Sequence, residues 1–303
     1  MLLAEQILNG AQFGIMLFLL AAGLTLVFGI MGLINLAHGS LYMIGAFAAA
    51  WAGNATGSFL TALLVGMGAA AAIGMAVEAV VLRRLYARDH LDQVVATFGL
   101  ILFFNEAATM LFGRQPLFAR MPPWLAGSVE LLPGVPYPAY RLAIIAVGLL
   151  VALALYLLVA RTRLGMLIRA GNSDREMVRA LGVDIGLIYT LVFGLGALLA
   201  GLAGVMAGPV FSVQVGMGEQ VLILTFVVII IGGIGSVRGA FIGALLVGMV
   251  DTLTRAFLPG LLKALLSTSE ADAVGNGVSS MAVYLLMAAV LLWRPRGLFP
   301  AHG

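Results

Sequence analysis

The chain has 303 residues, of which 62% are hydrophobic and only 10% charged, with a net charge of +3 and a mean hydropathy of +1.12. Water-soluble domains carry about a quarter charged residues, so this balance excludes one and points to a single integral membrane domain over 1–303. Cysteine is absent, which excludes a disulfide framework, a thiolate metal site and a cysteine nucleophile; the fifteen arginines and one lysine form no cluster interleaved with aromatics of the kind nucleic acid requires.

A spanning helix needs about 20 mainly apolar residues to cross about 30 Å of hydrocarbon. The N-terminus has neither a basic leader nor a small-residue cleavage site, and the first span is expected to be retained and to cover 7–31. Further segments are predicted at 36–53, 59–82, 94–113, 139–160, 185–207, 219–235, 239–258 and 278–293. That makes nine, with eight as the alternative, because glycines and Arg238 in "GGIGSVRGA" interrupt 219–258. This stretch reads equally as two spans or as a broken, re-entrant pair. The expected fold class is all-α, a polytopic transmembrane helix bundle of 8–9 membrane segments.

Where the first segment gives way to the second, "NLAHGSLYMIGAF" places Asn35, His38, Ser40 and Tyr42 close together in an otherwise apolar region. Such a block is either a polar turn or part of a pathway. Glu78 and Asp251 have arginine partners at helical distances, Arg83 and Arg255, so ion pairs are expected there. Glu106, beside Asn105, lies well inside its segment. A charge in hydrocarbon costs about 2.5–3.5 kcal/mol even on lenient scales, and both residues are therefore pathway or gate candidates, with hydrogen-bonded packing as the other reading.

Residues 114–138 hold five prolines after Arg120, with Trp124 among them, which predicts a non-helical cover at one face. The loop 161–184, "RTRLGMLIRAGNSDREMVRALGVD", reads differently. Ser173 followed by Glu176 is a capping box, so a short helix should start near Asp174. Met177, Val178 and Leu181 give it an apolar face, Arg175 and Arg179 share another, and Gly182 stands where a C-cap would. A helix tethered between two spans is suited to docking a soluble partner. It could also simply lie on the lipid.

Glycines recur at four-residue spacing, as at Gly10/Gly14, Gly204/Gly208, Gly235/Gly239 and Gly239/Gly243, which favours close helix approach. Gln214 and Glu219 fall near segment ends and are weaker entrance candidates. Eleven of the sixteen basic residues lie on one side of this topology. The positive-inside rule makes that side cytoplasmic, with the N-terminus outside and the C-terminus inside. No GxxxxGK[ST], HExxH or GxSxG is present, so no catalytic residue, metal or cofactor is expected in this chain.

Three blocks, "GLTLVFGIMGLINLAHGSLYMIGAF" (23–47), the loop 161–184 and "GGIGSVRGAFIGALLVGMVD" (232–251), together resemble the permease subunits of branched-chain amino-acid ABC importers. The likeness is greatest to the LivH-type member of the LivH/LivM pair, and "WRPRGLFP" (293–300) resembles that family's ending. The resemblance implies a LivM-like second permease, two cytoplasmic ATPase subunits that use ATP and Mg, an extracytoplasmic binding protein, and a bacterial inner-membrane setting. It places the coupling contact to the ATPase at 161–184, with Arg169, Ala170, Ala180 and Gly182 at its basic and small positions. It makes Asn35, His38 and Ser40 a pivot at the second segment. Glu106 has no counterpart in the family pattern. A self-sufficient secondary transporter using Glu106, and an importer of urea, amides or other amino acids, stay open as alternatives.

Overall fold

The computed structural model describes residues 2–132, 134–173, 175–264 and 266–299, with side chains described at all of these except 132, 135, 172, 173, 175 and 176. The helices run α1 Leu2–Met31, α2 His38–Thr56, α3 Phe59–Val80, α4 His90–Phe112, α5 Ala139–Arg161, α6 Arg163–Ser173, α7 Arg175–Ala180, α8 Ile185–Ala207, α9 Met217–Gly232, α10 Val237–Leu262 and α11 Thr268–Trp293. Between α4 and α5 a short antiparallel hairpin pairs β1 Ser128–Leu132 with β2 Val135–Pro138. The nine long segments expected from the sequence each correspond to one helix. Seven helices are long and apolar enough to cross a membrane. The two outside that set are α2, with its small and polar residues, and α9, an apolar helix of 16 residues.

Burial sorts the helices into an inner and an outer layer. The α1 and α8 helices are mostly buried, whereas α4, α5 and α11 each bury less than a fifth of their most apolar stretch. Lipid tails are as apolar as leucine, so association of such helices depends on close backbone approach. Glycine supplies it: a Cβ added to Gly23 of α1 would stand 2.5 Å from the Gly196 carbonyl oxygen of α8, and one on Gly45 of α2 would stand 2.5 Å from Gly201 Cα. The four-residue pairs seen in the sequence also take part. Gly10 and Gly14 seat α1 on α10 at Met249 and Ala244, while Gly239 and Gly243 seat α10 on α9 at Gly232 and Val228.

The stretch 219–258 resolves into two antiparallel helices. Gly233 and Gly235, with φ of 103° and 81°, turn the chain. Ser236 then caps α10 by accepting a hydrogen bond from Gly239 N at 3.0 Å. The C-terminal strand of chain returns to this turn, where Leu298 N and Phe299 N donate to the carbonyls of Ile231 and Gly232, each at 2.9 Å.

One end of the bundle gathers the arginine-rich segments. Buried Glu78 accepts from Arg83 at 3.2 Å, from Tyr86 Oη at 2.7 Å and from Thr190 Oγ1 at 2.6 Å, tying α3 to α8. Burial first, and then the bond to Glu78, hold the Tyr86 hydroxyl far above its ordinary pKa, so it stays a donor. Asp251 and Arg255 pair at 2.9 Å near the opposite end, as their spacing predicts.

Candidate functional site

Two short helices begin inside the bundle rather than at its surface. After α1 the chain is non-helical through residues 32–35 and turns at 36–37, and α2 starts at His38, whose Nε2 lies 3.2 Å from the Leu20 carbonyl oxygen near the middle of α1. The α9 helix likewise starts after a non-helical entry, with Gly216 at its N-cap (φ 86°) and no side-chain cap. The two starts meet. A Cβ on Gly39 would stand 2.6 Å from the Gly218 carbonyl oxygen, and Gly39 and Gly218 are both buried. Helix N-termini carry exposed amides and partial positive charge, which favours an anionic group. Paired interrupted helices at the core of a transport protein are a physical signature of a binding site.

The polar block that opens α2 lies here. Asn35, His38 and Ser40 are 1%, 0% and 3% exposed. Asn35 Oδ1 accepts from Ala37 N at 3.1 Å. Asn35 Nδ2, His38 Nδ1 and Ser40 Oγ, with Thr25 Oγ1 of α1, are buried without a partner. A buried polar atom without a hydrogen bond costs about 1–3 kcal/mol, so these groups, unpartnered among the described residues, are held at a cost. Tyr42, one turn further along α2, lines a cavity of about 310 Å³ with Phe13, Met16, Gln214, Met217 and Gln220. Phe13 and Phe211 separate that cavity from a more polar one of about 600 Å³, bordered by Asn9, Gln12, Arg141, Asp251 and Arg255. The outer cavity, a vestibule edged by polar side chains, thus shares two aromatic rings with the mixed chamber beside the helix starts.

Gln214, an entrance candidate from the sequence, thus lines the chamber. Asn105 and Glu219 come together elsewhere: Asn105 Nδ2 donates to Glu219 Oε1 at 2.6 Å, bridging α4 and α9, and Asn105 Oδ1 and Glu219 Oε2 are buried without partners. Glu106 stands apart, on the exposed side of α4. The helical turn directs its neighbour Asn105 inward instead.

The expected docking helix is present as α7, and Gly182 ends it as the sequence suggests. With φ at 82°, Gly182 N donates to Arg179 O at 3.0 Å and Val183 N to Val178 O at 3.4 Å, a Schellman pair. Val178 is buried, whereas Met177 and Leu181 are exposed, so only part of the expected apolar face turns inward. Asp174 and the side chains of Ser173, Arg175 and Glu176, including the expected capping box, lie outside the described residues. Arg169 donates from Nη1 to the Val159 carbonyl at the end of α5, and Ala170 is half-buried on α6. The α6 helix itself was not expected. Its signals were Thr162, whose Oγ1 caps Gly165 N at 3.1 Å, and the spacing of Leu164, Leu167, Ile168 and Gly171.

Buried broken helices, a chamber between them and an amphipathic element at one end define a multi-pass membrane transport protein. Residues 6–293 match the family described as "Branched-chain amino acid transport system / permease component", and the chain belongs to that family. It is 30% identical to the high-affinity branched-chain amino acid transport system permease protein BraD of Pseudomonas aeruginosa, over 97% of this chain and 94% of the relative. It is 31% identical to the corresponding permease protein LivH of Escherichia coli K12, over 96% of each chain. A more distant likeness is to the ribose import permease protein RbsC of E. coli K12, 30% identical over 77% of this chain and 72% of the relative. No solved structure matches the chain.

Proposed function

We propose that this chain is the transmembrane permease subunit of an ABC importer for branched-chain amino acids, a single permease domain that works by alternating access. Membership of the permease family and the names of its relatives support the substrate class. The observation that carries the mechanism is the meeting of the α2 and α9 N-termini beside the chamber lined by Tyr42 and Gln214. In this reading the helix starts attract the substrate carboxylate, and Met16, Met217, Val221 and Leu224 accept its aliphatic side chain. The arginine-rich end is cytoplasmic, so the N-terminus lies outside and the C-terminus inside the bacterial inner membrane.

Energy comes from two separate cytoplasmic ATPase subunits, with ATP and Mg bound there and no cofactor in this chain. They press on the coupling segment, where Arg169, Ala170, Asp174, Arg175, Glu176, Arg179, Ala180 and Gly182 are the proposed contact positions. Motion transmitted through α6 and α8 reaches the inner helices, whose glycine contacts permit sliding. The pivot at Asn35, His38 and Ser40 exchanges hydrogen-bond partners as the chamber changes the side to which it opens. A LivM-like second permease completes the channel, and an extracytoplasmic binding protein delivers the substrate at the vestibule.

The test is nucleotide-dependent leucine uptake by the reconstituted complex. Gln214→Ala and Tyr42→Phe should each lower uptake about tenfold while ATP hydrolysis persists. Uptake by this chain alone on an ion gradient, without ATPase subunits, would instead establish a secondary transporter. Stronger uptake of urea or a short amide than of leucine would transfer the reading to that substrate class.

A further inference from the structure

At the arginine-rich end a cleft of about 500 Å³ opens between α5, α6, α1 and the turn that starts α10. Its walls are apolar: Phe18, Leu26, Leu155, Val159, Ile168 and Phe241. Its polar rim is made of Tyr156, Ser236, Arg169 and Arg238, and no acidic residue borders it among the described residues. Neither arginine forms an ion pair among the described residues. Arg238 is exposed, with its guanidinium 4.9 Å from the Phe299 ring centre, and Arg169 donates from Nη1 to the Val159 carbonyl, its one hydrogen bond among the described residues. Two unneutralised guanidinium groups therefore face one mouth of an apolar slot. Tyr156 is 63% exposed, which shows that the slot opens on the outside of the bundle.

We propose that this cleft binds an anionic phospholipid of the surrounding membrane, with an acyl chain along Phe18, Leu155 and Phe241 and the headgroup phosphate between Arg169 and Arg238. The charge pattern selects this occupant. A second protein helix would compensate two cations only if it carried acidic side chains facing them, whereas an anionic lipid always carries its phosphate, and a zwitterionic lipid would bring a cation of its own. A guanidinium pairs with phosphate through parallel N–H···O bonds, and basic pockets between transmembrane helices at the cytoplasmic side suit anionic headgroups. The volume falls within the range of about 300–1,000 Å³ typical of small-ligand sites. Because Arg169 lies on α6 and Arg238 on α10, the bound lipid would join the coupling loop to the transmembrane core.

The probe is the full-length permease in its assembled complex, delipidated and re-equilibrated with vesicles of equal parts phosphatidylglycerol and phosphatidylcholine. Lipids retained after repurification are counted by native mass spectrometry. Phosphatidylglycerol should be retained in excess. Arg238→Gln should cut that excess about fivefold, Arg169→Gln about the same, and Arg238→Lys by less. Unchanged retention of both lipids in Arg238→Gln, with the complex still assembled, overturns the proposal. Equal retention in the wild type, or exclusion of both lipids by a partner subunit filling the cleft, overturns it too. Displacement of the lipid by millimolar inorganic phosphate would show a site for the free anion rather than for a lipid. The lipid count is read without any transport measurement, so the site and the substrate reading fail separately.

Discussion

Glu78 shows how a residue that looks hazardous in isolation becomes a fastener. Its side chain is fully buried, yet it receives three donors from Arg83, Tyr86 and Thr190. Arg83 is 47% exposed, so water screens its side of the ion pair. The buried hydrogen bonds matter more, since bonds to a charged group contribute about 1.5–3 kcal/mol each. Glu78→Ala should therefore destabilise the permease by about 3 kcal/mol, and Arg83→Ala by less, because Tyr86 and Thr190 still donate to the carboxylate. Helical unfolding of the purified chain in mild detergent distinguishes the two. Equal effects would mean that the ion pair, rather than the buried network, joins α3 to α8. The Glu78–Arg83 and Asp251–Arg255 pairs were legible from spacing alone. Thr190 was not, because it is more than a hundred positions from Glu78 in sequence and only the packing of α8 brings it there. Asn105 and Glu219 show the same limit: each was noticed singly, while their mutual bond depends on how α4 passes α9.

At the scale of elements, apolar length found a helix for each of the nine expected segments, seven of them long and apolar enough to cross a membrane among the described residues, because that signal is local. The α6 helix and the β1–β2 hairpin escaped. The first is amphipathic rather than apolar, and the second is a short pairing whose register depends on a turn at Gly134, with φ of 79°. Glycine frequency revealed a dense bundle but not which glycines touch which helices. The structure separates them into contact and free positions. Gly23 leaves no room for a Cβ against Gly196, whereas a Cβ on Gly68 of α3 meets nothing within 4 Å. Gly23→Ala should cost about 1–3 kcal/mol through overpacking, more than offsetting any gain in helix propensity. Gly68→Ala should be neutral or stabilising by up to about 1 kcal/mol, the propensity difference between the two residues. Thermal unfolding of each variant in the same detergent is the measurement. A Gly23→Ala protein as stable as Gly68→Ala would show that α1 and α8 are not held by backbone contact.

For the molecule as a whole, the asymmetry between its ends is the property from which direction of transport follows. One end holds the α6–α7 loop, the Arg83 network and the C-terminal segment packed on the α9–α10 turn. The other holds the hairpin, the bridge between Leu117 and Val213, and the vestibule. If the first end is cytoplasmic, ATPase subunits meet α7 and a binding protein meets the vestibule; reversed, neither partner could reach its surface. The absence of cysteine makes this measurable without background labelling. Leu181, at the end of α7, is 75% exposed and Trp124, beside the hairpin, is 74% exposed, so a thiol at either position is accessible and disturbs little packing. Leu181→Cys should react with a membrane-impermeant maleimide only in inside-out vesicles, and Trp124→Cys only in right-side-out ones. In the assembled transporter Leu181→Cys should lose at least about tenfold in labelling rate, because the ATPase covers it, while Trp124→Cys should be slowed only when the binding protein is added. The opposite sidedness would reverse the orientation drawn from the arginines. Unchanged labelling of Leu181→Cys in the full complex would place the ATPase contact somewhere other than α7, and the motion proposed for the inner helices would then need a different point of application.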